Sequence, residues 1–173
     1  MEMKTLLLCI VSIAWLVLPS LGNTMESDAI LGDWITENED CRVTIFKKGD
    51  HYFGKIAAIK PPDYLPGEVT GMDDKPRRDL NNQDESLRSR PLVGIELMQD
   101  FRFDNDKWID GKIYDPENGK TYQCEMSLAE DGTLHVRGYV GMSFLGRTTV
   151  WDSVDGYLEK QHAFLGVPDC SCE

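Results

Sequence analysis

Three arginines, Arg88, Arg90 and Arg137, are the residues of this chain best suited to recognising a charged ligand. A guanidinium stays charged at any physiological pH, and its planar fork matches a carboxylate or phosphate bidentately. Arg88 and Arg90 stand near the end of a long polar connection, and Arg137 shares the polar face of a strand with His135 and Tyr139. Brought together, they would form an anion-recognition patch on an otherwise acidic protein, with Tyr114 as the fourth candidate binding residue. The competing use is structural: each pairs with neighbouring carboxylates and fixes the connection.

Catalysis finds less support. His51, His135 and His162 are the histidines, and none falls in a nucleophile elbow or an HExxH helix. Asp40, Asp50, Asp104, Asp106 and Asp131 occupy turns, where a carboxylate bonds local backbone. Asp115 is the tempting acid, but turn initiation accounts for it. No residue receives a catalytic role, and a hydrolase with a site assembled in space ranks third among the functional readings. Cys170-x-Cys172 with His162 nearby has the donors for Cu(I) or zinc. Two close cysteines at the end of an exported chain more often bridge elsewhere, so neither metal nor cofactor is expected.

The element that must position these residues is the hairpin over 108–122, WIDGKIYDPENGKTY. Asp115-Pro116 opens its turn, because proline presets φ, and Gly119 closes it, because glycine accepts positive φ. Further alternating stretches cover 30–36, 41–47, 51–60, 92–101, 134–140 and 144–151. Gly54 inside one of them suggests a bulge or a close backbone approach. The spacing predicts an all-β fold of about eight short strands joined by hairpins, with no amphipathic helix of ordinary length. An up-and-down antiparallel barrel is favoured over a sandwich, since closure removes exposed edges. The rhythm breaks over 61–91, a long loop that is either functional or mobile; Asp84 can cap a helical turn within it. Residues 156–173 read as a tail.

The chain has 173 residues and a formal charge of −12. Its start reads as a secretory signal peptide: Lys4, an apolar stretch over 5–18, and small residues leading to cleavage after Gly22. About 150 residues remain, one domain with a real core; the barrel would occupy 23–155. A pI near 4.6 without a basic run sets nucleic acid aside. Export, to the periplasm or beyond, leaves no integral membrane span after cleavage and permits disulfides. Cys41, Cys124, Cys170 and Cys172 are the candidates, in any of three pairings. Cys41 and Cys124 fall in phase with apolar neighbours, so either is alternatively a small buried hydrophobe.

GDW at 32–34, NNQDESLRSRPLVG at 81–94, GKIYDPENGKTY at 111–122, and DGTLHVRGYVG followed by GRTTVW resemble the DUF2147 family of exported bacterial domains. The resemblance covers roughly residues 30–153. It implies a lipocalin-like (calycin-type) barrel in the cell envelope and no particular reaction. Such barrels place an arginine of the last strand over the tryptophan of the first, and Trp34 and Arg147 fit those places. Asn82-Gln83-Asp84 departs from the family's Asn-Pro-Asp, and a family cysteine pair is missing around 48–53, so no disulfide pattern is carried over.

Two functional readings result. One is a binding module for a small apolar or amphipathic ligand in the envelope. The other is an interaction domain with a filled barrel that docks an exported partner protein through the 61–91 loop. A hollow interior separates them.

Overall fold

Alternation of apolar and polar side chains puts one face of each strand inward, and the strands close around that face. The structure, a computed structural model, describes residues 26–165; the leader with its cleavage after Gly22, and Cys170 and Cys172, lie outside them. The strands are β1 (Gly32–Ile35), β2 (Cys41–Lys48), β3 (His51–Ile59), β4 (Glu96–Asp104), β5 (Lys107–Asp115), β6 (Lys120–Leu128), β7 (Leu134–Tyr139) and β8 (Arg147–Ser153). Each pairs antiparallel with the next, and β1 closes on β8 through Trp34 opposite Ser153 and Ile35 opposite Asp152. The up-and-down barrel read from the sequence is therefore the fold. Between β4 and β5 the turn has two residues, Asn105 and Asp106, both at positive φ as a tight hairpin requires.

The barrel is packed solid at one end only. There Trp108, Phe101, Tyr52, Met126 and Leu134 fill the interior, all essentially without exposure. Residues 26–31 cross beneath them and bury Ile30. Both indoles at this end donate to that segment, Trp34 Nε1 to the Ile30 carbonyl at 2.9 Å and Trp108 Nε1 to the Ser27 carbonyl at 3.0 Å. Lys47 Nζ and the Tyr52 hydroxyl both donate to Asp28 Oδ1 at 2.6 Å, which holds the Asp28 carboxyl below its usual range. Residues 26–31, whose Ile30 and Leu31 read from the sequence as the start of a strand, are thus the plug of the barrel.

Close packing depends on absent side chains. The ring of Phe101 lies on Gly111, where an added Cβ would meet it at 2.3 Å. Left-handed φ values of 67° at Asp100 and 62° at Asp110 accompany register shifts on either side of this contact. Gly54 does carry the anticipated irregularity, with register shifts beside it and Met98 Sδ 2.9 Å from where a Cβ would stand.

Three expectations are corrected. The strand anticipated over 92–101 begins at Glu96, because Gly94 turns at φ 94° and docks its N–H on the Ile56 carbonyl at 2.8 Å. The strand anticipated from residue 144 begins at Arg147, after a 3-10 turn at Ser143–Leu145. The tail opens with a helix of 12 residues, α1 (Val154–Leu165), against β8 and β1. Ser153 caps it by accepting the Gly156 N–H at 3.1 Å, and Tyr157 donates to Glu39 Oε2 at 2.8 Å. Among the residues whose burial is described, Val154, Gly156, Tyr157 and Gln161 are half-buried, too little apolar periodicity to mark an amphipathic helix.

The Phe101–Gly111 contact gives a direct test. Gly111→Ala forces a methyl into the ring and should lower the urea-unfolding free energy by about 1–3 kcal/mol without changing the strand content seen by circular dichroism.

Candidate ligand-binding cavity

Away from the plug the inward side chains no longer meet, and a cavity of about 760 Å3 opens to solvent at the other end. Cys41, Ile56, Leu97, Ile113, Val136 and Trp151 give it apolar walls from six different strands. Tyr114, Tyr122, Thr149 and Arg147 are polar residues on the strand walls, and Gly138 leaves room among them. The rim is formed by the turn over 36–40, by Lys60-Pro61, and by the turn over 115–119. Apolar walls with a few polar groups and this volume are the usual character of a small-molecule site.

One side of the mouth is held by a buried polar cluster. Asp79, in the 61–91 loop, has no solvent exposure. Its Oδ2 accepts from Arg90 Nε at 3.0 Å and Nη2 at 2.8 Å and from Asn82 Nδ2 at 2.7 Å, and its Oδ1 accepts from the Tyr114 hydroxyl at 2.5 Å. Burial first, then the Asp79 hydrogen bond, pushes the Tyr114 phenol up to about 12. Asn81 Nδ2 donates to the Glu117 carbonyl at 2.9 Å, and its own carbonyl oxygen sits 1.9 Å from where a Cβ on Gly119 would be. Gly119, at φ 68°, is therefore required twice: for the turn and for the docked loop. Asp115 holds the same turn, accepting from the Glu117 N–H and from Asn118 Nδ2. The loop is ordered, with Asp84 capping a 3-10 turn at Glu85–Leu87 and accepting from the Ser86 N–H at 2.9 Å.

The candidate anion patch does not assemble. Arg90 is committed to Asp79 and lies over the Tyr114 ring, and Arg88 donates to the Asn82 carbonyl and to Glu85. Arg137 donates to the Ser143 carbonyl at 2.6 Å and to Thr148 at 2.7 Å, on the outer face of β7 and β8. The three guanidiniums share no partner. Tyr114 lines the cavity but turns its hydroxyl into the Asp79 cluster.

The Trp34–Arg147 pairing is also corrected. Trp34 belongs to the plugged end, opposite Ser153, whereas Arg147 begins β8 at the open mouth. Among the described residues the arginines that stack on rings are Arg77 on Tyr64 and Arg90 on Tyr114. Cys41 and Cys124 are free thiols, not a bridge; burial pushes both up to about 12. His162 lies in α1, and no cluster of metal-binding side chains occurs among the described residues.

Two features of this end escape sequence reading. An aspartate in a polar run is ordinarily solvated, so nothing marks Asp79 as buried. The loop over 140–146 exposes Val140, Met142, Phe144 and Leu145 beside the mouth, Phe144 at 72 %. Val140, Phe144 and Leu145 fall at the ends of expected strands, which concealed that.

A closed eight-stranded up-and-down barrel, plugged at one end and hollow at the other, has the architecture of a lipocalin-like protein. A structure with that fold, a protein of the human pathogen Helicobacter pylori described as belonging to the lipocalin family, superposes with a TM-score of 0.60. It is 19 % identical over 86 % of this chain and 94 % of its own, which establishes the shared fold. The chain belongs to DUF2147, described as an uncharacterized protein conserved in bacteria, whose model matches residues 32–153. Comparison with curated proteins gives no match. No helix among the described residues is long and apolar enough to cross a membrane.

The cluster and the thiols each yield a measurable consequence. Tyr114→Phe leaves Asp79 Oδ1 buried without its donor and should cost about 1–3 kcal/mol of stability in urea at neutral pH. A phenol whose folded pKa is raised contributes stability that is complete below pH 10 and lost as pH climbs toward 12. The advantage of the parent over Tyr114→Phe should accordingly shrink across that window. Native protein treated with iodoacetamide at neutral pH should leave Cys124 and Cys41 unmodified by peptide mass spectrometry, with both modified in denaturant.

Proposed function

We propose that this protein is an exported binding module for a small apolar or amphipathic molecule, held in the open end of the barrel. The carrying observation is the cavity of about 760 Å3, walled by apolar side chains and open at the mouth. Barrels of eight strands either fill their interior or accommodate one small ligand, and this one does each at a different end. The leader expected over residues 1–22 supports delivery to the periplasm or beyond.

The interaction reading required a filled barrel and a docking surface on the 61–91 loop. The hollow end removes the first requirement. The loop docks on the barrel through Asp79 and the Asp115 turn and exposes Leu65 and Leu87 singly, whereas Val140, Met142, Phe144 and Leu145 are exposed together over 140–145.

Native mass spectrometry of protein purified gently from its own host should show a retained small molecule that denaturing extraction removes. Thr149→Trp, which projects an indole into the cavity, should abolish retention while leaving the circular-dichroism spectrum unchanged. Repeated absence of any adduct from the parent protein, or retention in the tryptophan variant, counts against the reading.

A further inference from the structure

Arg147 faces inward, and the chemistry of that position defines the ligand further. Along β8, Thr148 points out to Arg137, so Arg147, Thr149 and Trp151 share the inner face, and all three line the cavity. Across the sheet Arg147 stands opposite Gly138, which brings no side chain, so the guanidinium has open space before it. The chain carries 30 Asp and Glu against 18 Lys and Arg. Even so, Arg147 makes no ion pair and no side-chain hydrogen bond among the described residues; Arg78, away from the cavity, shares that state, whereas Arg42, Arg77, Arg88, Arg90, Arg102 and Arg137 are all engaged.

A second donor faces the same space. Tyr122, on the inner face of β6, accepts from Asn118 Nδ2 at 3.0 Å through its hydroxyl oxygen, which leaves its own hydrogen to donate. Below these two groups the walls are apolar. The rim above carries Glu37, Asp40, Asp115 and Glu117 against Lys60 and an Arg77 already paired with Glu68, and this acidic excess raises the electrostatic penalty for a multiply charged head more than for a singly charged one.

Resting on the binding reading above, we propose that the ligand is an amphiphile with a single carboxylate head: Arg147, aided by Tyr122, binds the carboxylate just inside the mouth, and the apolar chain runs down toward Trp151.

Calorimetric titration with dodecanoate and with dodecanol, below the concentrations at which either aggregates, separates the head from the chain. The parent protein should bind dodecanoate at least tenfold more tightly than dodecanol. Arg147→Met should erase that preference while keeping the alcohol affinity, and Arg147→Lys should retain part of it. Equal binding of acid and alcohol by the parent, or a preference that survives in Arg147→Met, overturns the assignment of the head group and leaves the cavity reading standing. Failure of both compounds to bind the parent overturns both. The comparison within the parent needs no variant, so it decides the matter even where Arg147→Met does not fold.

Discussion

The constraint on which this molecule depends is the unequal filling of one cylinder. Eight short strands enclose an interior wide enough for side chains to meet or for a ligand to enter, but not both at one level. Trp108, Phe101, Tyr52 and Met126 settle which end is full. Gly111 makes room for the Phe101 ring over the neighbouring strand, and residues 26–31 seal the base by accepting hydrogen bonds from two indoles. Large rings that must be buried, and whose N–H groups must still find acceptors, place the plug where it is. The hollow end is what remains after that demand is met.

The mouth is shaped by a different kind of interaction. Desolvating a carboxylate is expensive, on the order of several kcal/mol even after relaxation, unless it is fully hydrogen-bonded. Asp79 meets that condition with four contacts from Arg90, Asn82 and Tyr114. These residues come from the long loop and from β5, so satisfying one buried group ties the excursion to the barrel wall. The Asn81–Gly119 contact adds a second tie to the neighbouring turn. Arg88 and Arg90 are thereby engaged in fixing the loop beside the cavity.

The two ends therefore divide the labour. The plugged end supplies most of the buried apolar surface and with it most of the driving force for folding. The open end carries the polar cluster that holds the mouth, the apolar side chains of residues 140–145, and Arg147, which is unpaired among the described residues. A binding protein needs such a division, since a cavity lined by apolar groups contributes little to its own stability.

Local sequence determined a good deal. Alternation around Val43, Cys124 and Val136 gave the strands and their inward faces, and Asp115-Pro116 with Gly119 gave the central turn, because these are effects of near neighbours. Asp84 likewise announced its own 3-10 turn. Only the tertiary structure decided that Arg147 looks into the cavity and not onto Trp34, because the two lie at opposite ends of a strand pairing that sequence does not specify. It also decided that Asp79 is buried, that Arg137 stands apart from Arg88 and Arg90, and that the segment before β1 is the plug. Each of these depends on residues distant in the chain meeting in space, and a side chain's neighbours across the barrel are set by closure, not by the residues beside it.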